Sequence, residues 1–426
     1  MITAKDNQSW LNQHKESSLL NSEHVWLNDI RQSALKQFEE LGLPGVRDED
    51  WRYTNLRALK NNDYSVTTNT ASNLAIELNA SNNPRLVFVD GHLDSSASTA
   101  LGQNVHSLNT SLDLVKDVFG SALPQEQHGF TALNSAYAQD GYVVHLKSGQ
   151  VLDEVLEVFF VSQSDKAVSH TRNFIIADAN SQCTIVERHI GKDGLVYLNN
   201  SVTEILAGDN AHVDHYKIQQ ESNEAFHMGG VFIKQQKSSQ LKNHNIALTG
   251  LVTRNDIYCD LLGQGAHMEM NGLVLGQGRQ HIDNHTQVNH LVPNCTSDEY
   301  YKTVLDDHSR SVFRGRIVVA EDAQLTNADQ QNNNLLLSDN AEADCKPQLE
   351  IYADDVKCSH GATVGQLDPV SLFYLKSRGI NSDSANALLT FAFANEVIER
   401  IKVDSIREEL TQVMAGELLN GLEDLV

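Results

Sequence analysis

The chain is poor in the features that mark most function classes. No cluster of lysine and arginine interrupts a formal net charge of −24 over 426 residues. A nucleic-acid binder needs a basic footprint to displace counterions from phosphates, so that class is excluded. The same acidity disfavours an anionic membrane surface, and no run approaches the ~18 apolar residues of a membrane-spanning helix. Aromatic residues make up 6%, too few for a base-stacking platform. Cys183, Cys259, Cys295, Cys345 and Cys358 form an odd, widely spaced set. That spacing excludes a disulfide framework, and without a Cys-x-x-Cys a zinc ribbon or self-contained ferredoxin-like site is not expected. Neither phosphate-binding glycine motif is present, nor is a G-x-S-x-G nucleophile elbow. Any ATP that the function needs is therefore expected on a partner. The polar start, "MITAKDNQSWLNQHKE", has no apolar stretch of a secretory signal, so a cytoplasmic protein is expected.

What is there divides by period. Residues from about 9 to 60 read as helical, with Leu27, Ile30, Ala34, Phe38 and Leu41 on one face and Gly42 and Pro44 as the stop. Residues 61–83 read as a polar connector. From Arg85 to Leu367 the period is two, in stretches such as "RLVFVDG", "VLEVFFVS" and "CTIVERH". A loose repeat runs through this zone: an apolar pair, a small polar turn, then an alternating strand. It appears in "IIADANSQCTI", "ILAGDNAHVDH", "VLGQGRQHID" and "IYADDVKCSH". Such a unit buries its apolar face only by stacking, which predicts a β-helix; a large β-sandwich is the alternative. Its open ends require caps or partners. From Asp368 the period returns to 3.6, with Asp368 as N-cap and Pro369 at the first helical position. Ala385, Leu389, Phe393, Val397 and Ile401 form one stripe, and Ile406, Leu410, Val413 and Leu418 another. The expected organisation is mainly β: a helical unit and connector over 1–84, a β-helix core over 85–367 and a helical docking unit over 368–426.

Two constellations carry chemistry. His281, Asp283 and His285 alternate on one strand face, which resembles the metal face of a cupin-like enzyme. The structural alternative is a polar outer face. Cys358 and His360 stand two apart, on one face of a strand, about 6.5–7 Å apart along it. A thiolate and an imidazole suit a transition metal, and Lys357 beside the thiol would lower its pKa. Two ligands do not fill a tetrahedral site, so others must come from elsewhere.

The stretch "PQLEIYADDVKCSHGATVGQLD", followed by "LFYLKSRGI", resembles the SufB/SufD family of iron–sulfur cluster assembly scaffolds. So do "SVFRGRIVVAEDAQLTNADQQNNNLLLSDNAEADCKPQ", "GLPGVRDEDWRYTNL" and "FTALNSAYAQDGYVVHL". The D-type paralogue is the nearer match. Asn332 in "QNNNLLLS" occupies the place of the B-type cysteine, and Ser359 and Gly361 flank His360 where the B type has acidic residues. The resemblance implies a right-handed parallel β-helix between helical ends, and a non-enzymatic scaffold. It implies pairing with SufB through β-helix edges, docking of the SufC ATPase on the C-terminal region, and ATP bound by that partner. It implies a transient iron–sulfur cluster at the SufB interface, with His360 as ligand and Cys358 as auxiliary thiol. Pro369, Leu372, Phe373, Tyr374, Leu375 and Arg378 are the implied partner-binding residues. Without SufB a homodimer is the expected form. The competing expectation is a metal-dependent β-helix enzyme working on the histidine-rich face. Secreted carbohydrate-active β-helices usually have an aromatic-lined groove, however, and this chain has three tryptophans.

Overall fold

The computed structural model describes residues 23–67, 82–125 and 127–418, with Leu74, Ile76 and Leu78. The helix expected over 9–22 lies outside them. The rest is a parallel β-solenoid of about eight turns flanked by helices. Successive strands alternate between two sheets, so each sheet pairs every second strand in parallel. Most central strands are ten residues long, such as Phe226–Gln235, Val252–Leu261 and His281–His290 in the first sheet and His267–Gly276, Thr296–Leu305 and Asn327–Leu336 in the second.

The repeat has a physical cause at the corners. Asn180, Asn210, Ser238, Gly265, Asn294 and Leu325 all have positive φ and recur every 27–31 residues. Each lets the chain turn from one sheet to the other, a conformation that asparagine and glycine tolerate best. Corners also bond to corners: the Asn210 N–H donates to the Lys237 carbonyl, and Ser238 to that of Gln264. Leu325 is the exception in kind, an exposed leucine in the left-handed region.

Between the sheets, alternate side chains meet. Val231, Ile233, Ile257, Cys259, Val288 and Phe313 from one sheet face Cys183, Ile185, Val213, Leu241, Met268 and Met270 from the other, all buried. Each such side chain contributes roughly 1.5–3 kcal/mol over exposure. The interior is not uniformly apolar. Glu187 accepts from Tyr142 and Thr203, Lys217 donates to Asn255, and Asn255 donates to Gln219 and Asn284. These buried groups bond to one another because no water is there to replace the bonds.

Helix α1 (Val25–Leu41) buries Leu27, Ala34 and Phe38 and ends at Gly42, whose φ is 66°. Ile30 and Leu41 of the expected stripe do not join that core, and Leu41 is exposed. A second helix, α2 (Gly129–Tyr137), packs on it inside the zone that reads as strands. All nine of its residues are buried, the polar Thr131, Asn134 and Ser135 included, so no exposed polar face marks it as a helix. At the C-terminus come α3 (Pro369–Ser377), α4 (Ser382–Ile398) and α5 (Asp404–Leu418). Ala394, Val397, Ile398 and Ile401 join Ile406, Leu410 and Met414 against the outer face of the second sheet, on Tyr216, Ile246, Leu273 and Val304. Salt bridges Arg188–Glu409 and Lys302–Glu396, both 2.7 Å, fix them there. So the two stripes serve the body of the molecule, while α3 keeps Val370, Phe373 and Tyr374 in solvent.

Candidate functional site

The solenoid ends on the strands Glu342–Ile351 and Lys357–Gly365, the last members of their sheets. Among the described residues nothing pairs with their outer sides. The other end is closed differently: antiparallel strands His92–Leu93 and Val105–Ser107 finish the two sheets there. Hence one end is capped and the other presents two unpaired edges, an arrangement that folded proteins normally cover.

On Lys357–Gly365, the inward row follows from register. Cys358 pairs with Ala328, His360 with Gln330, Ala362 with Asn332 and Val364 with Asn334. Cys358 and His360 do share a face, as spacing predicts. Their surroundings differ. The Cys358 side chain packs against a small apolar cluster with Ile317, Ala328 and Ala353. Burial pushes its thiol pKa up. The expected lowering by Lys357 is therefore corrected: Lys357 points to the opposite face and is exposed, and desolvation decides the direction. His360 is exposed at the mouth, and beside it Gly361 has open space where a side chain would stand.

Two mouth residues were not singled out from sequence. The Cys345 thiol donates to Asn332 Oδ1 at 3.0 Å, and Asn334 Nδ2 lies 3.2 Å from the sulfur. Burial pushes that thiol up to about 11. Thus Asn332, in the place of the B-type cysteine, has a thiol against its side chain from the opposite sheet. The half-turn spacing of the repeat was the available signal, since position 345 lies one half-turn beyond 332.

Beneath the mouth sits Glu299, fully buried. Thr286 Oγ1 donates to it at 2.6 Å and Gln330 Nε2 at 3.2 Å. Burial raises its pKa to about 7, against the opposing pull of those two bonds. The folded state therefore holds a proton that the unfolded chain releases near pH 4.5. Stability is full below that pH and falls as pH rises towards 7, by on the order of 3 kcal/mol through this group. Glu299→Gln is expected to flatten that slope. Urea unfolding at about pH 5 and about pH 8 measures it; equal slopes in variant and wild type would contradict the assignment.

The histidine-rich face is engaged otherwise. His281 lies 2.9 Å from Thr54 Oγ1, and Asp283 accepts from Thr54 at 2.5 Å and from Arg254 Nη1 at 2.8 Å. Arg254 also binds Asp256 and the carbonyl of Asp50, under the Trp51 ring. The row is the seat of the N-terminal segment, and a guanidinium stands where a metal-site reading would place a cation. Among the described residues no group of three or more His, Cys, Asp or Glu is arranged to hold a metal.

After the last strand, Asp368 caps α3, accepting from Val370 and Ser371 N–H at 3.1 and 3.0 Å, with Pro369 at the first turn. Val370, Phe373 and Tyr374 are 73%, 74% and 56% exposed, while Leu372 and Leu375 are half-buried. Arg378 donates to the Tyr374 hydroxyl at 3.1 Å. One short helix next to the open end thus holds three large apolar side chains in solvent. No helix among the described residues is long and apolar enough to cross a membrane.

Comparison with known proteins shows the family of the chain. A family model described as "SUF system FeS cluster assembly, SufBD core domain" matches residues 159–393, and one described as "SufBD protein N-terminal region" matches residues 4–83 and 88–158. An iron–sulfur cluster assembly SufBD family protein of Synechocystis sp. is 31% identical over 405 residues, 88% of this chain and 87% of that one. The iron–sulfur cluster assembly protein SufD of Escherichia coli is 30% identical over 389 residues, 89% of this chain and 90% of that one. SufD of Bacillus subtilis is 27% identical over 314 residues, 71% and 70% of the two chains.

Proposed function

The chain belongs to the SufBD family, as a SufD-type subunit with a role in iron–sulfur cluster assembly, and from that premise we propose how its open end serves the role. The two unpaired edges pair with the β-helix of SufB, extending both sheets across the interface. His360 then supplies a ligand to the cluster under construction, and Cys358 is an auxiliary thiol behind it. The cluster is cargo; it forms between the chains and leaves. Residues Pro369, Leu372, Phe373, Tyr374, Leu375 and Arg378 of α3 dock the SufC ATPase, which binds the ATP. The chain acts as a scaffold without a reaction of its own.

One observation carries the reading: the inward row bearing His360 ends at a face with which none of the described residues pairs. A ligand set divided between two chains explains why one chain offers so few ligands. It also gives a means of release, since parting the chains parts the ligands. An imidazole is a weaker ligand for iron–sulfur clusters than a thiolate, which suits transfer.

His360→Ala is expected to lower cluster formation by the co-expressed SufB–SufC–SufD-type assembly at least about tenfold, the lower bound for loss of an ordering group around a metal. The isolated variant should fold with unchanged stability, because the side chain is exposed. Anaerobic iron and sulfide counts on the purified assembly check this. Wild-type cluster content in the variant would refute the assignment.

A further inference from the structure

The row that ends at His360 has an unusual composition just beneath it. Across the second sheet the register runs Met270, Glu299, Gln330, His360, each stacked on the next. Below Met270 the same row holds Asn243 and His215, which bond to each other; above it come a carboxyl, an amide and an imidazole in the last three steps. Gln330 is fully buried, and its Nε2 donates to Glu299. Its Oε1 has no hydrogen-bond partner among the described residues. A buried carbonyl left so forfeits its hydration without a replacement bond and calls for a reason.

The opposite sheet makes room for this amide. Thr286, Gly315 and Pro347 form the facing row, since Thr286 pairs with Gly315 and Gly315 with Pro347. A methyl group at position 315 would overlap the Gln330 amide nitrogen and stand 2.6 Å from its carbon. The φ of Gly315 is not positive, so the glycine serves space and not backbone conformation. The fold therefore shapes a hollow around Gln330, pins one end of its amide on Glu299 and leaves the other end without a donor. The next inward residue, one strand spacing of about 4.8 Å away, is His360.

We propose that Gln330, anchored by Glu299 and housed over Gly315, is the positioning residue for the His360 imidazole. Its Oε1 accepts the N–H of one ring nitrogen and leaves the other nitrogen's lone pair for iron. Metal-bound histidines generally donate their second N–H to such an acceptor, which fixes tautomer and ring orientation. In the free chain the ring faces solvent. Closure of the mouth by a partner removes that water, and the orphaned oxygen becomes the acceptor at hand. The inference rests on the reading of His360 as an interface ligand.

The test is anaerobic equilibrium dialysis of Fe(II) against the intact assembly with its SufB and SufC partners. The His360-dependent share is the difference between wild type and His360→Ala. Gln330→Leu is expected to weaken that share by about 10- to 100-fold. The exchange Gln330→Glu with Glu299→Gln keeps one carboxyl and one amide in the hollow and returns an acceptor oxygen to position 330. It is expected to restore binding to near the wild-type value, which a purely structural role would not do. Gly315→Ala, which displaces the amide while keeping both Gln330 and His360 in the sequence, should weaken binding in the same direction. Should Gln330→Leu fail to assemble, Gly315→Ala decides. Unchanged Fe(II) affinity in these variants, or no recovery on exchange, overturns the inference while a loss in His360→Ala keeps the parent reading. Wild-type binding by His360→Ala overturns both.

Discussion

Arg254→Met is expected to lower the unfolding free energy by about 3–5 kcal/mol, the usual cost of removing one partner from a buried ion pair. The guanidinium is 1% exposed and sits between Asp256 and Asp283, both at 2.8 Å. It donates to the Asp50 carbonyl at 2.7 Å and lies 4.2 Å from the Trp51 ring centre. One side chain thus bridges two buried carboxylates and ties the N-terminal segment to the first sheet. Burial by itself would raise the pKa of both aspartates; the charge of Arg254 beside them prevails and holds both well below the carboxylate range. The sign follows. Stability from these groups is present above the ordinary aspartate value of 3.8 and is lost as pH falls below it. Arg254→Met should therefore be least stable near neutrality relative to wild type, with the gap narrowing in acid. Adding Asp256→Asn and Asp283→Asn should recover more than half of the loss. Urea unfolding measures each; a loss under about 1 kcal/mol would place this network among the weak surface pairs.

The second large effect concerns assembly. Ile351→Lys combined with Val364→Lys is expected to weaken pairing with the SufB-type partner at least about 100-fold, since each buried unpaired charge costs about 2–5 kcal/mol. Ile351 stacks on the buried Val319, and Val364 on Asn334. They are 39% and 51% exposed at the open end. In the free chain the ammonium groups reach water, so stability should change by less than about 0.5 kcal/mol. Sedimentation of the mixed subunits measures the pairing. Undiminished association would show that the partner binds some other face.

Much of this architecture is legible in the sequence because solenoids write their geometry locally. The corner residues Asn180, Asn210 and Asn294 repeat visibly, and the strands between them alternate. The cap at Asp368 and Pro369 reads equally well, since its hydrogen bonds span three residues. What escaped is non-local. Helix α2 sits where strands are expected because burial on all sides removes the polar face that periodicity detects. Arg254, Asp256 and Thr54 meet the alternating row His281, Asp283 and His285 from positions up to 229 residues away. A row that looks like a metal face is thereby a seat for a distant segment. At the mouth, spacing correctly puts Cys358 and His360 on one face. It misjudges the thiol, because a lysine one residue away points to the other side of the strand and burial dominates. Cys345 required the half-turn register across the interior, and Gln330 the full-turn register that stacks it under His360.

The most direct test of the account is hydrogen–deuterium exchange of this chain, free and with its SufB-type partner. Slowed exchange is expected in Glu342–Ile351 and Lys357–Gly365, whose outer sides pair with none of the described residues, and unchanged exchange in His92–Leu93 and Val105–Ser107 at the capped end. Protection at the capped end with no change in the two terminal strands would contradict it.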